Sequence, residues 1–423
     1  MDEAGESAQD PGQTGPTGVG ALLRERNFVA YQSSRVLALL AVSMQSVAVA
    51  WQLYKATSDP LALGFVGLSQ FLPQICLSLV TGLVADRVPR RKILVVSQSI
   101  IALGAVGFLV MTVAGPPQAW LVYLLSALVG VARAFGAPAA QALMPTLVPP
   151  RLFGSAVAVG SSTWQGAMIA GPMLGGVLFA AGGPAPVYAA TLAFLVVSVC
   201  LLFALKPHAP DTLGPKRAVS LSTLFEGVRY VWSNKPVLGA ISLDLFAVLL
   251  GGAVALLPVF AHDRLHTGPV GLGILRSAPA LGAALMALYL AYRPLRRRAG
   301  VRMFVAVFVF GLATVVFGLS RNVPLSVAAL FVTGAADMIS VVVRQTLVQL
   351  KTPDEMRGRV SAVNAVFIGA SNELGEFESG ATAAWLGPVA AVVLGGVGTC
   401  IVVIVWALAF RELRQVDNLD ASS

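Results

Sequence analysis

Long apolar runs separated by short polar interruptions mark this chain from residue 32 to residue 410. Six lie near 32–54, 61–84, 93–114, 119–142, 154–180 and 187–205, and six more near 237–260, 270–292, 301–319, 324–349, 360–386 and 388–410. Each holds about 20 residues, which at about 1.5 Å per residue crosses the roughly 30 Å of hydrocarbon in a bilayer. The runs are continuous and do not alternate in short segments, so they predict helices and not barrel strands. One stretch breaks the pattern. "SNELGEFESG", residues 371–380, puts Glu373, Glu376 and Glu378 into the eleventh run, where each charge is costly.

Composition supports that reading. Of the 423 residues, 57% are hydrophobic and 12% charged, against about 25% charged in a soluble domain. The expected class is an all-α membrane protein with twelve transmembrane helices. Basic residues orient it. Of 29 Lys and Arg, 22 fall in the tails and loops of one face and three (Lys55, Arg264, Arg321) on the other; Arg35, Arg133, Arg276 and Arg344 lie inside the runs. This asymmetry predicts a multi-pass protein with both termini in the cytoplasm. The net charge of +9 is then mostly juxtamembrane, and with no basic domain a nucleic-acid partner is not expected.

Other chemistry is sparse. Residues 1–27 read as a disordered cytoplasmic tail, acidic and rich in Gly and Pro at its start, without the features of a signal peptide. Cys76, Cys200 and Cys400 stand singly in apolar runs, which fits packing and gives no disulfide or metal framework. His262 and His266, in "AHDRLH", lack the glutamate of a zinc-binding H-E-x-x-H and read as a polar loop. No G-x-x-x-x-G-K-S/T phosphate loop occurs, so a nucleotide-driven pump is not expected, nor is a cofactor or metal.

The chain is written twice. Shifted by 204 residues, "QALMPTLVPPRLFGSAVAV" lies over "QTLVQLKTPDEMRGRVSAV", with Gln141 on Gln345, Leu143 on Leu347, Pro149 on Pro353 and Gly154 on Gly358. A shift of 206 lays "ADRVPRRK" over "AYRPLRRR" and Pro73 over Pro279. Two six-helix bundles are therefore expected, 28–205 and 236–410, with a tail at 411–423. The connector 206–235 carries an amphipathic helix whose Leu221, Leu224, Phe225, Val228 and Trp232 recur at helical spacing and suit the membrane surface. Parallel six-helix repeats put a binding site near the midplane between them.

Between the second and third runs stands "GLVADRVPRRK", Gly82 to Lys92, a tight turn with one carboxylate and a basic cluster. It resembles the loop signature G-x-x-x-D-R-x-G-R-R of the major facilitator superfamily, and the resemblance extends over all twelve runs. Pro89 replaces the usual glycine, so the turn must be made differently. The resemblance implies that Asp86, with Arg87, Arg90 and Arg91, helps hold the cytoplasmic side closed; the plainer reading is a topology signal. "GAMIAGPMLGGVL" in the fifth run is similar to the motif of the superfamily's antiporting exporters, with Gly171, Pro172, Gly175 and Gly176 allowing a bend and close packing. Arg133 in "VARAFGAPAA" resembles the fourth-helix arginine linked there to proton coupling, although its spacing to Gly136 is one residue short. The general layout resembles the branch of bacterial catecholate-siderophore exporters, and related multidrug and macrolide exporters share it. A bacterial inner membrane is implied.

The 204-residue shift lays "AGPMLGG" (170–176) over "LGEFESG" (374–380), so Glu376 stands where the first copy has Pro172. Glu376 lies about 24 Å along its span at about 1.5 Å per residue. A carboxylate there must take up a proton or meet a cation, and Arg276 stands at a similar depth. Glu373 shares its helix face, whereas Glu378 points elsewhere. Alternation between the two states makes a proton carrier; a fixed charge network is the rival. Arg133 and Asp337 are equivalent positions in the two copies, and Arg35 and Asp244 lie near the cytoplasmic ends of equivalent spans. These are expected to pair across the cytoplasmic crevice on closure, with Arg344 as a further partner, unless each finds a partner in its own half. Gln45, Trp51, Gln70 and Trp164 are candidates for the substrate cavity, with ordinary packing as the alternative. The expected activity is export of an amphipathic small molecule, a siderophore or drug-like compound, against protons moving in. The partners are that molecule, protons and the bilayer, and the protein is expected to be a monomer. Broad drug efflux is the nearer alternative, and an intramembrane acid–base enzyme using Glu373 and Glu376 the more distant one.

Overall fold

A computed structural model describes residues 18–205, 221–295 and 298–416. Twelve helices follow the apolar runs. The first six are α1 (Arg26–Thr57), α2 (Pro60–Arg87), α3 (Arg90–Ala114), α4 (Ala119–Leu143), α5 (Phe153–Gly182) and α6 (Pro184–Ala204). The second six are α7 (Lys235–Leu250), α8 (Gly268–Tyr292), α9 (Ala299–Leu319), α10 (Val323–Lys351), α11 (Asp354–Leu386) and α12 (Pro388–Ala409). Among the described residues, eleven segments have the length and composition to cross a membrane. The twelfth is α11, a 33-residue helix set apart by its charge and not by its length.

Helix ends follow local chemistry. Asp59 and Asn322 cap α2 and α10, each accepting a backbone N–H of the first turn, and Pro60 opens α2 where no donor is needed. The α2–α3 turn is built from Val88 and Pro89 in extended conformations, ψ 135° and 126°, so no glycine is required there.

Helix pairing repeats between the halves. In the first, α1 packs on α5 and α6, α2 on α4, and α3 on α4 and α6; in the second, α7 packs on α11 and α12, α8 on α10, and α9 on α10 and α12. The halves meet through α5 on α8 and α2 on α11, again equivalent pairs. Close backbone approach makes this seam. A Cβ placed on Gly176 would stand 2.5 Å from the Pro269 carbonyl oxygen, and one on Gly273 2.5 Å from that of Pro172. In lipid, where apolar side chains gain little by meeting each other, such contact is what holds helices together. Gly171 and Gly175 instead face α1, against Ser43 and Met44, while α5 continues through Pro172 as one helix.

Two features depart from expectation. The run 237–260 predicts one helix, but α7 stops at Leu250, unwinds at Gly251–Gly252 and continues as short turns that end in a π-helical turn, Phe260–Arg264. Adjacent glycines lose about 1 kcal/mol each relative to alanine in a helix, and a Cβ on Gly252 would stand 2.9 Å from the Gly375 carbonyl oxygen of α11. The connector helix forms at Leu221–Ser233, yet part of its apolar stripe serves α11 and not the membrane surface. Val228 and Val231 pack with Val360 and Val363, Glu226 pairs with Arg359 at 2.8 Å, and Trp232 is exposed. Side chains of 221–225 lie outside the described ones.

Candidate functional site between the two halves

The connector and both ends of the described chain lie on one face, here the terminal face; the α1–α2 and α7–α8 loops lie on the opposite, distal face. At mid-depth a cavity of about 70 Å³ opens between α1, α2, α8 and α11, lined among others by Gln45, Ser46, Gln70, Arg276 and Glu376. A drug-sized ligand needs about 300 Å³ or more, so the cavity marks where the halves separate.

Charge concentrates around it. Arg133 of α4 donates to Gln70 Oε1 at 3.1 Å and stands 4.0 Å from Glu373 Oε1 of α11, an ion pair that bridges the halves. Arg276 of α8 and Glu376 of α11 line the same cavity. They form no ion pair among the described residues; Arg276 Nη1 donates instead to the Ser46 carbonyl oxygen of α1 at 3.3 Å. The Glu376 carboxylate lies against α2, its Oε2 2.9 Å from where a Cβ on Gly67 would stand. Glu378 turns aside and accepts from Thr382 Oγ1 at 2.7 Å. The seam thus carries two cations from α4 and α8 and two carboxylates from α11.

Gln45, which lines the cavity, is 5% exposed and its buried Oε1 has no hydrogen-bond partner, so one acceptor beside the cavity is unused. The other two cavity candidates lie elsewhere. Trp164 is exposed on α5, and Trp51 is buried near the distal mouth, its ring 5.5 Å from His262. That mouth is closed. Tyr54 donates to Asp263 Oδ2, His262 Nδ1 lies 2.5 Å from Asp263 Oδ1, and Trp51, Tyr54 and Leu63 of the first half pack with Leu256, Phe260 and Phe317 of the second. Sequence reading left His262 and Asp263 in a polar loop; nothing in the spacing of Tyr54 and Asp263 signals that they meet.

Towards the terminal face the cross-pairs expected on cytoplasmic closure are not present among the described residues in this distal-closed arrangement. Asp244 of α7 pairs with Arg344 of α10 inside the second half. Arg35 stays beside α5, its Nη1 3.7 Å from where a Cβ on Gly160 would stand, while Asp337 lines a small cavity with Asp244. In the signature loop, Arg90 donates to the Ala142 carbonyl oxygen at 3.2 Å and Arg91 to those of Leu205 and Phe203 at 2.9 and 2.5 Å. Both thereby cap helix C-termini, where carbonyls are unsatisfied and the dipole favours a cation. Arg87 is exposed. The Asp86 side chain lies outside the described ones.

Two pseudo-symmetric six-helix bundles with two cations and two carboxylates along their seam make a multi-pass membrane transporter of the major facilitator fold. Residues 18–423 match the family model "transmembrane secretion effector" of that superfamily, and the chain belongs to this family. It is 29% identical over 392 residues to the enterobactin exporter EntS of Citrobacter koseri, and 27% identical over 398 residues to EntS of Escherichia coli, each alignment covering 92% of both proteins. Among solved structures it is similar to a bacterial homologue of the lysosomal transporter Spinster (TM-score 0.71, 13% identity, 91% of this chain and 97% of that one). A bacterial homologue of the iron transporter ferroportin is likewise similar (TM-score 0.69, 16% identity, 91% and 99%). Membership of a transporter family sets aside the enzyme reading of Glu373 and Glu376.

Proposed function

We propose that the protein exports an amphipathic small molecule in exchange for protons, rocking its two halves about the central cavity. The observation that carries this is the seam cluster: Glu373 of α11 pairs with Arg133 of α4 across the halves, and Glu376 and Arg276 line a cavity beside that pair. A carboxylate buried between moving parts is tolerable when paired or when protonated. Separation of the halves removes the Glu373–Arg133 pair, so the open arrangement favours proton uptake and the closed arrangement favours release. Charge balance then ties proton movement to the conformational change.

The basic loops support a cytoplasmic terminal face; on that reading the closed distal mouth shuts the outer side, as suits an arrangement that receives substrate from the cell. The similarity to proteins named enterobactin exporters supports a catecholate siderophore as cargo, carried in a bacterial inner membrane. A tris-catechol offers many O–H donors, which the free Gln45 acceptor suits. Broad drug efflux is the competing reading. Proteoliposomes under an imposed proton gradient separate them, using an iron-free tris-catecholate and the cationic dye ethidium. Saturable, gradient-dependent transport of the catecholate supports the proposal. Transport of ethidium alone favours drug efflux, and transport of neither compound overturns both assignments.

A further inference from the structure

The second half holds another polar group, with Asp244, Ser340 and Arg344 buried and Asp337 half-buried, that the transport reading leaves unused. Asp244 of α7 and Asp337 and Ser340 of α10 line one cavity of about 10 Å³, walled by Val307 and Phe310 of α9. That is about the room one water needs. Asp244 and Arg344, both buried, pair with each other. The ion pairs among the described residues leave Asp337 without a cation, and Ser340 Oγ, in a residue 1% exposed, has no hydrogen-bond partner. Asp337, Ser340 and Arg344 share a helix face, three and seven residues apart.

Charge and space together define what is missing. Two carboxylates against one guanidinium leave one uncompensated negative charge at a partly open cavity beside apolar side chains within the membrane-spanning helices, which is costly unless neutralised. One monovalent cation balances it; a divalent ion leaves an equal excess of the opposite sign. The donors are all oxygen, the set that suits hard cations and not transition metals. A proton on Asp337 balances charge but leaves the space and the Ser340 hydroxyl unused. Glu373 and Glu376 of α11 belong to the central cluster and are not part of this lining.

We propose that α7 and α10 hold one sodium-type monovalent cation between the carboxylates of Asp244 and Asp337 and the hydroxyl of Ser340, with Arg344 fixing Asp244. Binding at this place stiffens the second half just to the terminal side of the Gly251–Gly252 break, so it bears on how α7 moves.

The test uses the purified full-length protein in lipid nanodiscs. Thermal unfolding is followed as NaCl replaces choline chloride at constant ionic strength and pH. The wild type is expected to show a saturable sodium-dependent rise in melting temperature. In Asp337→Asn and Ser340→Ala the half-saturating sodium concentration should rise roughly tenfold or more, the scale of loss when a group supporting an ion is removed. Melting in choline alone shows that each variant is folded. Equal melting of the wild type in sodium and choline overturns the proposal, as does a sodium response that survives in both variants. A stabilisation that follows acidification in choline and vanishes in Asp337→Asn overturns it in favour of a protonation site. The readout is binding, so it stands whether or not Glu376 couples transport.

Discussion

Tyr54→Phe isolates the bond that closes the distal mouth. The Tyr54 hydroxyl is the one atom removed; it donates to Asp263 Oδ2 across the halves. The ring, 5.9 Å from that of His262, keeps its place in phenylalanine. A hydrogen bond to a charged acceptor is worth about 1.5–3 kcal/mol. The Asp263 side chain is 50% exposed, so water recovers part of the loss, and about 1–2 kcal/mol is the expected net effect. That shifts the ratio of distal-closed to distal-open molecules by about 5- to 30-fold. Spin labels at Pro116→Cys and Arg321→Cys, one on each half at the distal face, report the change by pulsed distance measurement in a background lacking Cys76, Cys200 and Cys400. A longer distance should gain population in Tyr54→Phe. Identical distance distributions for the two proteins would refute the latch.

Three further outcomes follow. Gln45→Leu should weaken binding of a hydroxyl-bearing substrate by about 5- to 30-fold, the effect of losing about 1–2 kcal/mol, without lowering the melting temperature, because its Oε1 has no partner to lose; binding titration and thermal unfolding check both parts. Gly176→Ala should destabilise by about 1–3 kcal/mol, since its Cβ would press on the Pro269 carbonyl, whereas Gly154→Ala, with nothing within 4 Å, should be neutral or stabilising; parallel melts in nanodiscs decide. Arg91→Ala should cost about 1–2 kcal/mol by releasing the Leu205 and Phe203 carbonyls at the end of α6, read as a lower melting temperature.

Hydrophobic patterning located all twelve spans, and among the described residues length and apolarity coincide in eleven of them. The span holding Glu373, Glu376 and Glu378 was legible as a run broken by charge, and its register with the first copy gave its glycines a role. There the 204-residue offset puts Gly380 on Gly176, and both glycines sit at the seam, Gly380 against the Pro60 carbonyl and Gly176 against that of Pro269. The break in α7 escaped hydropathy because Gly251 and Gly252 add no polarity; two adjacent glycines were its signal. Pairings across the chain were harder to read. Arg133 with Glu373 and Tyr54 with Asp263 join residues more than two hundred positions apart, and neither pair lies at equivalent positions of the repeat. Symmetry pointed to Arg133 with Asp337 on closure of the cytoplasmic side; in this arrangement, closed at the distal mouth, Asp244 pairs with Arg344 in its own half, the alternative the sequence also left open.

The central claim is that a carboxylate at the seam exchanges a proton as the halves rock, and Glu376 is where it is most exposed to test. Purified protein is reconstituted into proteoliposomes and substrate-driven proton flux is recorded with an internal pH dye, wild type beside Glu376→Gln. The account predicts that the variant still equilibrates substrate across the membrane while moving few or no protons with it. Proton flux per substrate equal to that of the wild type would contradict it.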